Sequence, residues 1–254
     1  MEMKNYVKSL LIISVILAAG CGSQPYAKPQ ATAQGCDLFD ECGDETTIAE
    51  TSAPVSFARQ YEAYNGKETK KGKVYRTVSL ADDTPFTDTT AEAIVQRLAD
   101  RESFYLYVGD PMCPWCRSVI EQAEAVAGEK KIAQIVSLRI WDENGEEILR
   151  DQYVLEDGKP VLKKAGSAAY QTFLSAFQEV LDDYTLKDEA GEEIAVGEKR
   201  IYAPSFFRVE NGEVTAFTTG ISPLQTDAYE PLSAQMLTDE KEQFEDFFKE
   251  DHSG

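Results

Sequence analysis

The 254 residues contain one histidine, His252, close to the C-terminus. That scarcity speaks against an imidazole base, a histidine dyad or a metal centre built from several histidines. Basic residues are also short, 25 Lys+Arg against 45 Asp+Glu, for a net charge of −20. Nucleic acid or an anionic membrane surface needs a basic face, so neither is expected as the main partner. No Gly-rich phosphate loop, serine-nucleophile motif, EF-hand spacing or internal repeat is visible. With 43% hydrophobic and 28% charged residues the composition is that of a globular chain, against wholesale disorder or a multi-span membrane protein. The length suits one domain or two.

Five cysteines are present, Cys21, Cys36, Cys42, Cys113 and Cys116. An odd number leaves one thiol with another fate if the others pair. The first follows Lys4, Lys8, the apolar run Leu10–Ala19 and the small residues Ala18-Ala19-Gly20. That run is well short of the roughly 20 residues that span a bilayer, so residues 1–20 read as a secretory signal. The junction resembles the lipobox of bacterial lipoproteins, although Leu17 lies one place earlier than usual. The resemblance implies cleavage before Cys21, lipidation of its sulfur and anchoring on the extracytoplasmic face of a bacterial cell membrane. A plain secretory signal with an incidental cysteine is the alternative.

Residues 21–56 are rich in Gln, Pro, Ala, Thr, Ser and acids without sustained periodicity, as in a flexible tether. Within it, Cys36 and Cys42 suit a local loop-closing disulfide in an oxidising compartment. A second dithiol that exchanges with the main pair is the other reading. Zinc fits poorly, because the spacing is long and no second ligand pair is obvious.

The Phe57/Tyr61/Tyr64 stripe predicts a small helix, and Lys73–Leu80 alternates as a strand should. Thr89-Thr90-Ala91-Glu92 has capping-box spacing ahead of a helix carrying Ile94, Val95 and Leu98. Phe104–Val108 predicts a buried strand, Val119–Ala127 a helix ending at Gly128, and Ile132–Ile140 a central strand. A long stretch without sheet-like character follows, apart from a hairpin over Gln152–Lys164 turning at Asp157-Gly158. The stripe Tyr170, Phe173, Leu174, Phe177, Val180, Leu181 and Tyr184 predicts a helix capped by Ser167. Asn211-Gly212 between apolar runs signals a hairpin. Phe244, Phe247 and Phe248 mark the buried face of a last helix whose acids face water, as those of Asp182–Glu193 are expected to.

The chemistry concentrates in Asp110-Pro111-Met112-Cys113-Pro114-Trp115-Cys116-Arg117, between a predicted strand and a predicted helix. A cysteine at a helix start meets free N–H groups and the positive end of the dipole, which favour its thiolate. Pro114 suits the first helical position. Cys116, one turn on, is close enough to attack a mixed disulfide on Cys113. A structural disulfide and a zinc site are the rivals. Arg117 either assists the thiolate or, more simply, faces solvent. Met112 and Trp115 form an apolar rim for a partner or pack on neighbouring chain.

Here the chain resembles the thioredoxin superfamily. Cys113-Pro114-Trp115-Cys116 follows a short buried strand. Pro204, Asn211, Gly212 and Gly220 keep the family's offsets for a cis-proline, a hairpin and a later glycine. The resemblance covers roughly residues 73–250. It implies an α/β thioredoxin-like fold over 57–254, a central mixed sheet flanked by helices, with an insertion at about 143–199 containing a helix. That helix would act as scaffold over the sheet or as a lid that selects substrates. It also implies Cys113 as nucleophile, Cys116 as resolving thiol, Pro204 as the cis-proline, and Trp115, Ala203 and Pro204 as substrate contacts. One departure stands out. Where the family often places a buried acid, six residues before the first cysteine, this chain has Tyr107, with Asp110 a possible substitute.

The expected function is a thiol–disulfide oxidoreductase acting on cysteines of exported proteins, needing no cofactor or metal beyond its own Cys113–Cys116 disulfide, and served by a redox partner. A non-catalytic accessory lipoprotein that uses the fold as a docking surface is the alternative, and a metal carrier a third.

Overall fold

The computed structural model describes residues 55–69 and 71–248. The expected signal, Cys21, the Cys36/Cys42 pair and His252 lie outside the described residues. Among those described, no helix is long and apolar enough to cross a membrane.

The centre is a five-stranded mixed sheet. β1 (Phe86–Asp88), β2 (Phe104–Gly109) and β3 (Ile135–Arg139) run parallel in the order β1-β3-β2. β8 (Ser205–Glu210) joins β2 antiparallel, and β9 (Glu213–Thr218) completes the far edge. The alternation of a strand assigns its residues to two faces. Leu106 sits opposite Val136 and Phe207, and all three pack towards α2 (Ala91–Ala99) and α4 (Ala168–Phe177). The next residue, Tyr107, sits opposite Ser137 and Phe206 and faces the other way. There it meets α1 (Phe57–Glu62), α3 (Pro114–Glu129) and α5 (Ala234–Phe247). The result is a mixed α/β architecture with helices on both faces, as expected.

Several local expectations hold for the reasons that suggested them. Asp157 and Gly158 take positive φ (50° and 72°) in the turn between β4 (Gln152–Glu156) and β5 (Lys159–Lys164). Asn211 and Gly212 do the same (53° and 79°) between β8 and β9. Ser167 caps α4 through Tyr170 N–H. Thr90, one place later than the capping box implied, caps α2 through Ala93 N–H at 3.2 Å.

Three expectations fail. Residues 73–80 form no strand; Val74 makes one isolated bridge to Glu68 and is exposed, while Val78 and Leu80 are buried. Lys73 and Tyr75 make main-chain bonds only with the nearby Thr69 and Lys67, and further on the Val78 and Ser79 N–H groups are taken by the side chains of Asn65 and Glu121, so no strand of the sheet pairs with the segment. The second failure is the Tyr170–Tyr184 helix, which stops at Phe177 and a single 3₁₀ turn, Gln178–Val180. Tyr184 lies on β6 (Asp182–Lys187), drawn under the Arg200 guanidinium (4.1 Å to the ring centre) and against Tyr153. Third, the stretch thought to lack sheet character holds a second hairpin, β6 with β7 (Glu193–Arg200).

These corrections reassign the insertion. The α4 helix lies on the main sheet, Phe177 stacking on Phe207 with ring centres 4.6 Å apart. It forms a layer over that face of the sheet, with Tyr170, Phe173 and Phe177 in the core. The additions outside the sheet are the two hairpins, one on either side of α4 in the chain. They are tied at their bases: Arg200 donates to Asp151 O (2.7 Å), Arg150 to Ile201 O (3.1 Å), and the buried Glu147 bonds Arg150.

Candidate functional site

Cys113 and Cys116 stand where β2 hands the chain to α3. Cys113 is the N-cap of that helix, in extended backbone, and its Sγ accepts the Cys116 N–H at 3.2 Å. Pro114 follows at the first helical position, where a missing N–H costs nothing. Both cysteines are free thiols and both are buried, Cys113 with 4% of its surface exposed and Cys116 with none. Across from them the Ala203–Pro204 peptide bond is cis, and the Cys113 thiol donates to Ala203 O at 3.6 Å. Fold topology thus joins residues 90 positions apart, because β8 pairs with β2 directly below the cysteines. Pro204 is buried, Ala203 half-buried and Tyr202 exposed.

Burial pushes the Cys116 thiol well above its usual range, and the Cys113 sulfur beside it pushes the same way. Hydrogen bonds from the Tyr107 hydroxyl and the Asp110 backbone N–H oppose this. Tyr107 in turn meets Tyr61, their hydroxyl oxygens 2.6 Å apart and both side chains buried. Burial, with Cys116 next, raises both phenols well above 10, so both stay neutral. The Tyr61 and Tyr107 hydroxyls are thus bonded to each other in the buried layer that also holds the Cys116 thiol.

Asp110 does not point there. Its carboxylate accepts from Met112 N–H (2.9 Å), Arg139 (3.2 Å) and Trp141 N–H (3.4 Å), closing the loop ahead of the cysteines. Burial raises its carboxyl, while Met112 N–H and Arg139 draw it back down. Arg117 is neither solvent-facing nor beside the thiolate. It is buried and donates to Tyr61 O, Pro111 O, Arg76 O and Asn65 Oδ1. It therefore binds α1 and the 65–76 segment to the start of α3. Burial lowers its pKa, yet all four partners are neutral oxygens.

Trp115 is half-buried on the α3 side of the core, and Met112 is half-buried with Gly145 facing its sulfur. Gly145 belongs to a loop leading to a cavity of about 500 Å³, lined by Trp141, Glu147, Tyr153, Lys164, Tyr184 and Arg200. Sequence reasoning named none of these six residues as site residues. Nor did it place Tyr61 at the site, since nothing in a short N-terminal stripe tells that its hydroxyl will lie under β2. Tyr107 was legible only as an unusual residue at a meaningful offset.

Two thiols one helical turn apart, one at a helix start beside a half-buried strand edge, can exchange a disulfide with an incoming sulfur. Among the described residues no group of three or more His, Cys, Asp or Glu side chains could hold a metal ion. No protein-family model matches the chain, and no curated protein matches it.

Proposed function

We propose that this chain is a thioredoxin-like thiol–disulfide oxidoreductase, lipid-anchored through Cys21 on the extracytoplasmic side of a bacterial membrane and acting on cysteines of exported proteins. One observation carries the catalytic part: the free Cys113–Cys116 pair at the start of α3, with Cys113 Sγ against the carbonyl that precedes a cis-proline. The order of the central elements, a parallel β1-β3-β2 core with β8 antiparallel to both β2 and β9, supports the family resemblance. The anchor and address rest on the sequence of residues 1–21 alone.

In the proposed reaction Cys113 thiolate attacks a substrate disulfide, joins one sulfur and releases the other as a thiolate. Cys116 then attacks Cys113 Sγ, closes the internal disulfide and releases the second substrate sulfur. Two electrons pass from the pair to the substrate; the reverse sequence oxidises a dithiol. Ala203 and Trp115 border the approach to Cys113.

A non-catalytic docking role has one observation on its side, the 4% exposure of Cys113. The two readings separate cleanly. In cells making the Cys116→Ser protein, the oxidoreductase reading expects long-lived mixed disulfides with exported proteins, absent from the Cys113→Ser control. If the parent and Cys113→Ser are equally inactive towards small disulfides and dithiols, the enzyme reading is refuted.

A further inference from the structure

The cavity lined by both hairpins holds a guanidinium whose donors are not all used. Arg200, at the end of β7, is 9% exposed and lines this cavity. Among the described residues its one hydrogen bond runs from Nη1 to Asp151 O, at 2.7 Å. Nη2 stands 3.9 Å from the Glu147 carboxylate, beyond hydrogen-bond reach, while Arg150 holds that carboxylate at 2.5 Å. The Tyr184 ring, 4.1 Å away, stacks on the guanidinium and fixes its plane. Nε and Nη2 are therefore left to the cavity. A guanidinium stays charged when buried, and N–H groups withdrawn from water without an acceptor are costly.

The surroundings define what acceptor fits. Lys164, a second cation of the lining, donates to Glu147 O at 2.9 Å and has two further N–H groups. Two acids also line the cavity, but Glu147 is matched by Arg150, and Glu146 joins no ion pair among the described residues. A planar fork of donors with an ammonium nearby matches a carboxylate. Trp141 and Tyr153 give the same cavity aromatic wall, suited to the stem of the side chain that carries it. The volume, about 500 Å³, is in the range of ligand sites.

This cavity adjoins the cysteine site on two sides. Gly145 faces the sulfur of Met112, the residue before Cys113, and Trp141 N–H bonds the Asp110 carboxylate at 3.4 Å. On the other side Arg200 lies 5.9 Å from the ring centre of the exposed Tyr202, which precedes Ala203. Ala203 O in turn accepts the Cys113 thiol. Three residues separate Arg200 from Ala203, so their Cα atoms are at most about 11 Å apart. An extended polypeptide held at Cys113 would cover that span in about three to four residues.

We infer that this cavity receives the stretch of substrate polypeptide beside the reacting cysteine, and that Arg200 selects an Asp or Glu side chain about three to four residues from that cysteine. The inference rests on the oxidoreductase reading and names a feature of its substrates. With a net charge of −20 the protein repels acidic chains at long range, so this preference comes from direct contact.

Short peptides blocked at both ends, with serine at the cysteine position and Glu, Gln or Lys at the selected one, test the site without redox chemistry. Titrated calorimetrically into the full-length protein, the Glu peptide is expected to bind roughly tenfold tighter than the Gln peptide, and the Lys peptide weakest. Arg200→Gln should erase the difference between Glu and Gln, and Arg200→Lys, which keeps the charge without the fork, should restore only part of it. Lys164→Gln, on the exposed stem, should reduce the preference by a smaller factor and does not touch the Arg200–Asp151 tie. Equal binding of Glu and Gln peptides to the parent would overturn the inference. So would tighter binding of the Lys peptide, or a Glu preference that survives in Arg200→Gln.

A second arm uses the same peptides with cysteine present as its thiopyridyl mixed disulfide. Reduced protein gives up two electrons and becomes the Cys113–Cys116 disulfide, while the reagent yields peptide thiol and thiopyridone. Below saturation the Glu peptide should release thiopyridone roughly tenfold faster than the Gln peptide. If no peptide reacts faster with the parent than with Cys113→Ser, the oxidoreductase reading falls, and the binding arm still decides whether Arg200 selects a carboxylate.

Discussion

Glu240 offers a measurement whose sign and size both follow from its surroundings. On α5 it lies in the inward stripe with Met236, Phe244 and Phe247, although the acids of this helix were expected to face water. Its side chain is fully buried, and neither carboxyl oxygen has a hydrogen-bond partner among the described residues. Burial lifts its pKa from 4.5 to about 8, with Arg76 opposing and Asp239 adding to the rise. Between those values the folded protein binds a proton that the unfolded chain has lost, so this group makes stability fall as pH rises. Its contribution is flat below about 4.5 and again above about 8. At 1.36 kcal/mol per pKa unit, the loss across the window is about 3–5 kcal/mol. Glu240→Gln keeps the shape and removes the titration. Urea unfolding of both proteins from pH 4.5 to 8.5 should show the variant gaining on the parent steadily through the window, then holding its lead. All other carboxylates are common to both proteins and cancel in the difference. A stability difference that stays constant within about 0.5 kcal/mol from pH 5 to pH 8 would refute the reasoning, because it would mean that Glu240 ionises as freely folded as unfolded.

Two further outcomes test the packing around the site. Arg117→Met strips donors from four oxygens, three of them main-chain carbonyls, and should lower stability by about 3–5 kcal/mol at unchanged denaturant slope. Arg117→Lys should not restore it, since one ammonium cannot reproduce a planar fork, and a loss below about 1 kcal/mol would contradict the hub. Gly220→Ala meets two obstacles, a φ of +71° and the Phe244 ring 2.3 Å from the new methyl, for a cost of about 2–3 kcal/mol. Gly66→Ala shares the φ (+70°) but opens on free space, so thermal unfolding should place it clearly above Gly220→Ala; equal losses would show that the ring contact matters little.

What could be read in advance was what local chemistry decides. Asn211-Gly212 and Asp157-Gly158 demand positive φ, Ser167 offers a cap, and Cys113-Pro114 marks a helix start; each is where it was expected. The misreadings share a cause, since each depended on partners remote in the chain. The 73–80 segment has the pattern of a strand, yet Asn65 takes its Val78 N–H and Glu121 of α3 its Ser79 N–H. Tyr184 fits a helical stripe, but Arg200 and Tyr153 hold it on a strand. Arg117 and Glu240 look like surface charges until tertiary packing closes over them. At the site the pair itself was legible and its support was not. The offset of Tyr107 was visible, whereas the Tyr61 hydroxyl needed a separation of 46 residues to be bridged.

The two hairpins have a consequence for how such a molecule can change over time. Each begins and ends on paired residues, Gln152 with Lys164 and Asp182 with Arg200. Partners across an antiparallel ladder lie about 5 Å apart, so a short turn could bridge either gap, and lengthening a loop costs little. Each hairpin is therefore a graft on a stem that closes without it. Its tip can lengthen, shorten or change charge while β2, α3 and β8 keep the cysteines in register. Variation in what the surface touches is thereby uncoupled from the chemistry of the sulfur pair.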